Sequence, residues 1–178
     1  MPDFYQKVQD DLGSVEDLVR KLPGFKGYFD KQDRRAADEM LRSHLVRVFE
    51  EQLNRFTGLQ RELTDVPGGI MHMERVQNIH TKLQTFIDRI DSAAQGYAGL
   101  FDAAKVGEDD LARVYAFDSA LLQYQAQFDE GLSAFEAAIS DSEFDMKNVL
   151  RQLDSIVTDA NDTFKSRSEA MLGLQDSV

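Results

Sequence analysis

The chain contains no cysteine. That excludes disulfides, thiolate metal sites and cysteine nucleophiles, and it suits a reducing compartment. Histidine is scarce, with three in 178 residues. Long apolar runs are missing too. The longest uncharged stretches, Ser92–Phe101 and Ser119–Phe128, are ten residues each and include Gln and Tyr. A membrane-spanning helix needs roughly 18 or more apolar residues. The opening "MPDFYQKVQDDLGSVEDLV" has neither the basic nor the apolar region of a signal peptide. The expectation is a soluble, cytoplasmic protein.

Positive charge is lacking in one half only. Residues 1–90 carry 14 Lys+Arg against 15 Asp+Glu, whereas residues 91–178 carry 6 against 17. An acidic second half repels phosphate backbones, so nucleic acid is not an expected partner. Composition is otherwise that of a globular protein, 42% hydrophobic and 29% charged. Its length fits one domain over 1–178, able to bury about two-thirds of the surface exposed when unfolded.

Proline is rare and placed as punctuation. Pro23 and Pro67 each precede glycine, in "LPGF" and "VPGG", and such pairs end helices. Between these marks the apolar residues recur every three or four positions. One stripe runs from Phe4 to Leu22 and a second through Leu41, Leu45, Phe49, Leu53, Phe56, Leu59 and Leu63. A third runs from Met73 through Ile90 to Tyr97, a fourth from Leu111 to Ile139 and a fifth from Met146 to Met171. No segment alternates as a strand would. The stripes predict an all-α fold: an elongated antiparallel bundle of four long helices, at about 30–64, 69–95 and two in the second half, plus a shorter N-terminal helix. The steps approach the 3.5-residue repeat of coiled-coil-like packing. Short links such as "DVPGG" and "SDS" require consecutive helices to return alongside one another. Gly96, Gly99 and Gly107 mark a corner around Tyr97, Leu100 and Phe101, because each glycine weakens a helix by roughly 1 kcal/mol relative to alanine.

Two blocks, "LPGFKGYFDKQDRRAADEMLR" (22–42) and "GYAGLFDAAKVGEDDLARVYAFDSALL" (96–122), together resemble a family of uncharacterised bacterial all-helical proteins. The resemblance covers about half of the chain. It implies a helical fold and brings no catalytic residue, cofactor or ligand.

Candidate chemistry is sparse. Carboxylate-bridged metal bundles use Glu-x-x-His on facing helices, and that pattern is absent. His72 and His80 in "MHMERVQNIH" are eight apart, so they flank the third stripe rather than share a ligand position. No HExxH, P-loop, GxGxxG or GxSxG occurs, and the acidic runs lack the glycine of a calcium loop. The reading is of a non-enzyme without cofactor. The run "FDEGLSAFEAAISDSEFD" reads as solvated helix ends, with an acidic face for a basic partner as the alternative.

One stretch stands apart. "KLPGFKGYFDKQDRR" (21–35) holds five cations, three aromatics and two aspartates in an acidic protein. It reads either as a plain corner, with Phe25 and Tyr28 folded back on the bundle, or as a corner that also docks a partner. Arg34 and Arg35 fall near the start of the second long helix, where cations are mildly unfavourable unless something anionic lies opposite. The candidate partner-binding residues are therefore Phe25, Lys26, Tyr28, Lys31, Arg34 and Arg35. The leading functional expectation is an interaction or scaffold module that binds another protein or itself. The alternative is a peripheral membrane-surface adaptor using Phe25–Arg35, since exposed aromatic and basic residues suit that interface.

Reversing Lys26, Lys31, Arg34 and Arg35 to glutamate should leave thermal unfolding nearly unchanged, because isolated surface charges contribute only tenths of a kcal/mol. If the corner docks, the reversed chain should lose its acidic partner or its binding to anionic vesicles. Retention of every interaction would make the corner purely structural.

Overall fold

The computed structural model describes residues 34–93, 108–141 and 145–175, with side-chain surroundings defined over 39–93, 116–141 and 145–170. These residues form four long helices packed against one another, with no strand among them. We number them α1 (Arg34–Asp65), α2 (Met73–Ser92), α3 (Glu108–Ser140) and α4 (Met146–Gln175). The expected N-terminal helix and the Gly96–Phe101 corner lie outside the described residues.

The periodic residues of the sequence are the core. Leu41, Leu45, Phe49, Leu53, Phe56, Leu59 and Leu63 of α1 are all buried. They face Val76, Ile79, Leu83, Phe86 and Ile90 of α2. Phe128, Leu132 and Phe135 of α3 and Leu150, Leu153, Val157 and Phe164 of α4 complete the same cluster. A spacing of three and four puts such residues on one helical face, so each helix offers one apolar stripe.

α1 and α2 form a helical hairpin. Phe49 meets Phe86 edge-to-face at 4.9 Å between ring centroids, and Gln60 Nε2 donates to Gln77 Oε1, so the two helices run in opposite directions. Their connection explains itself residue by residue. Val66 to Gly69 make a type II turn, closed by the Gly69 N–H on the Val66 carbonyl at 3.1 Å. Pro67 suits its second position, and Gly68 takes the left-handed conformation (φ 80°) that its third position requires. Gly69 is needed for a different reason: a Cβ there would overlap the Leu63 carbonyl oxygen. The sequence pattern placed residues 69–72 in the following helix. They form instead a 3-10 turn, Gly69–His72, because the tight turn beside Leu63 delays the start of α2.

α3 and α4 form a second hairpin. The Asp145 carboxylate caps α4 by accepting the Asn148 N–H at 3.1 Å, which satisfies one of the orphan donors at a helix start. Gly131 sits in the middle of α3, where glycine costs helix stability. A Cβ at that position would come within 2.6 Å of Leu153 Cδ2, so its absence lets α3 and α4 approach closely.

The hairpins lie side by side with like-directed helices adjacent. Gln52 Nε2 donates to the Gln125 carbonyl at 2.8 Å, and Arg55 reaches Asp129 and Glu136 further along α3. Position therefore advances together on α1 and α3. The same holds for α2 and α4, where Lys82 reaches Asp154 and Arg89 donates to Asn161. Around the bundle the order is α1, α2, α4, α3.

One charge pair is fully enclosed. Arg167 Nε of α4 donates to Asp118 Oδ1 of α3 at 2.6 Å, with both side chains at most 1% exposed. Asp118 belongs to a turn and a half of α3, Phe117–Leu122, in which every residue is buried. A helix covered on all faces cannot show a one-sided stripe. Breaking an enclosed pair leaves one charge without its counterpart, at a cost of about 3–5 kcal/mol. Asp118→Ala should lower the free energy of urea unfolding by that order; a change below about 1 kcal/mol would mean that the pair behaves as an exposed one.

Candidate functional site

Of the candidate partner-binding residues, Phe25, Lys26, Tyr28 and Lys31 lie outside the described residues. Arg34 and Arg35 are the first residues of α1. The three histidines do not converge. His44 lies on α1, His72 immediately before α2 and His80 within α2, each half-buried. No group of three or more metal-ligating side chains comes together among the described residues. No helix among them is long and apolar enough to cross a membrane.

The structure shows instead a polar face that the sequence reading did not single out. Between α2 and α4 runs an open cleft of about 740 Å³, next to the exposed end of the first hairpin. Because α2 and α4 are like-directed neighbours, both begin at this end, and residues from their first turns face the same space. Arg75 comes from α2 and Lys147 from α4. Neither forms an ion pair among the described residues. Glu74 lines the same mouth, with Asn78 and Thr81 further along α2.

A fixed bridge forms the far wall. Lys82 Nζ donates to Asp154 Oδ1 at 2.6 Å and to Thr158 Oγ1 at 3.0 Å. Both charged partners are about 40% exposed, so water screens the pair and its role is mainly to fix position. Beyond it lies a smaller hollow of about 220 Å³, lined by Thr85, Arg89 and Asn161 among others. Asn161 holds that wall in register: its side-chain amide donates to the carbonyls of Lys82 and Val157.

The end of the first hairpin carries the other unusual feature. Ile70 is 75% exposed and Met71 80% exposed, well above Met40 of α1 at 40%, the other exposed large apolar side chain among the described residues. Met71 also lines the cleft. The type II turn and a second bond, Met71 N–H to the Gly68 carbonyl at 3.1 Å, hold the pair outward. The "VPGG" signal located this turn from sequence, but not the exposure of the two residues after it.

No family model, curated protein or solved structure matches this chain.

His44 is the described group with a perturbed titration. Burial lowers its affinity for a proton, and the Arg47 guanidinium, 3.5 Å from Nδ1, adds to this while Glu51 opposes it. The folded protein therefore favours the neutral ring. Stability from this group is complete above the ordinary value of 6.5. It declines as pH falls from there toward the lower folded-state value, because the unfolded chain takes up the proton first. An NMR titration should place the His44 midpoint below 6.5, and Arg47→Gln should raise it only part of the way, since burial remains. A midpoint at or above the ordinary value would contradict this account.

Proposed function

We propose that the protein is a non-catalytic interaction module, a helical bundle that binds another protein or a second copy of itself. The observation that carries this reading is the outward pair Ile70 and Met71, held by a turn with two backbone hydrogen bonds. Single exposed apolar residues are common on any surface. Two adjacent ones on an ordered turn are better suited to binding, because little conformational entropy remains to be lost when a partner covers them.

In the same reading the two antiparallel hairpins, set side by side with like-directed helices adjacent rather than antiparallel throughout as the sequence suggested, form one elongated bundle with coiled-coil-like seams, acting in the cytoplasm as a scaffold. The three-and-four spacing of the stripes and the lack of cysteine support that view. The basic corner with Phe25, Lys26, Tyr28, Lys31, Arg34 and Arg35 would supply a second docking surface, for an acidic partner. The suggested resemblance of residues 22–42 and 96–122 to uncharacterised bacterial all-helical proteins bears on the fold alone.

The double variant Ile70→Ser, Met71→Ser tests the proposal. Its helical circular dichroism and thermal midpoint should match the wild type, since neither residue is part of the core. Sedimentation and quantitative affinity capture should show self-association or partner binding reduced at least tenfold. A variant that associates as the wild type does would sink the reading. So would stoichiometric iron, manganese or zinc in the purified protein.

A further inference from the structure

We propose that the cleft between α2 and α4 binds a small phosphorylated, hydroxyl-bearing molecule, a function beyond any protein docking at the nearby turn. The argument begins with charge. Residues 91–178 contain only six Lys and Arg among 17 acids. Within the described part of that half, Arg167 is committed to Asp118, Lys165 lies 3.8 Å from Glu169 and Arg151 donates to Asn148. Lys147 faces the cleft together with Arg75, and neither forms an ion pair among the described residues. Two cations without counterions on opposite walls of one recess disfavour each other and favour an anion between them.

The start of each helix adds to this preference. Cations in a first helical turn oppose the positive end of the helix dipole, and an anion placed beside them reverses the sign of that interaction. Guanidinium and ammonium groups together match phosphate oxygens, one as a planar fork and the other as a mobile point charge.

The rest of the lining describes the body of the ligand. Phosphate alone would leave most of a 740 Å³ recess empty, and recesses of this size accommodate whole small molecules. Asp154 engages Lys82 through one oxygen and keeps the other available as an acceptor. Glu74 is a second acceptor, and the Asn78 amide can both donate and accept. Carboxylates beside the path of an anion are unfavourable to its phosphate and favourable to hydroxyl donors. The lining thus suits a molecule with an anionic head at Arg75 and Lys147 and a hydroxylated body toward Asn78 and Asp154. A purely apolar ligand or an unsubstituted polyanion fits it less well.

The test is a nitrogen-15 NMR titration of the full chain with ribose 5-phosphate as the probe, at constant ionic strength. Saturable shifts confined to residues 71–82 and 147–158 are expected. The Arg75→Gln, Lys147→Gln double variant should bind at least tenfold more weakly with its spectrum otherwise unchanged. Both side chains are exposed, so the fold should tolerate the change. Ile70→Ser, at a docking residue that does not line the cleft, should bind the probe as the wild type does, which separates this site from the docking surface. The proposal is overturned by absent or dispersed shifts, by binding that survives the double variant, or by inorganic phosphate acting as strongly as the sugar phosphate.

Discussion

Phe86 holds three helices at once. Its ring meets Phe49 of α1 and Phe164 of α4, both edge-to-face, at 4.9 and 6.2 Å. A parallel set on the other side joins Phe56 of α1 to Phe128 and Phe135 of α3. Aromatic pairs in such orientations add about 0.5–1.5 kcal/mol each beyond the area they bury. Their greater effect is geometric. Rings seven residues apart on α1, Phe49 and Phe56, point to different neighbours, and this sets which helix lies on which side. The position of the α2–α4 cleft follows from that arrangement, because Phe86 and Phe164 determine how closely those two helices approach.

Polar groups then refine what the apolar stripes leave loose. A leucine stripe can slide by a turn at modest cost, whereas Gln52 donating to a backbone carbonyl of α3 and Asn161 donating to one of α2 fit one register only. The Asp118–Arg167 pair plays the same part within the second hairpin. An enclosed ion pair contributes little net stability compared with apolar residues of the same volume. It makes misaligned packings expensive, however, because each would strand a charge away from water.

Much of this fold was legible beforehand, and the reasons for what was missed are physical. Stripes at Leu41–Leu63 and Val76–Ile90 located helices and core together, because half-buried helices leave a periodic signature. Phe117–Leu122 leave none, since enclosure on all faces removes the contrast between sides. Asp118 carries no sequence mark of burial, and nothing near it in sequence points to Arg167, 49 residues away. Gly131 is only a poor helix former in sequence, and its use is visible only with Leu153 in place. The cleft was illegible for a related reason: Arg75 and Lys147 meet only once α2 and α4 are known to be adjacent and like-directed. The signal that drew attention to Arg34 and Arg35, cations in a first helical turn, was present at both positions but has no force without the neighbour.

The side-by-side order of the hairpins also bears on how the chain reaches its native state. Within the first hairpin, partners such as Gln60 and Gln77 are 17 residues apart. Between hairpins the polar ties of Gln52, Arg55, Lys82, Arg89 and Asn161 span 72 to 81 residues. Local closures are fast, and distant ones must first overcome a larger loss of chain entropy. During synthesis α1 and α2 therefore emerge with their shared apolar face complete on one side and bare on the other, until α3 and α4 have been made. Gln52, Lys82 and Arg89, set along that bare side, keep it from being uniformly greasy in the interval. The same side chains that later align the hairpins thus also guard the half-built molecule against premature association.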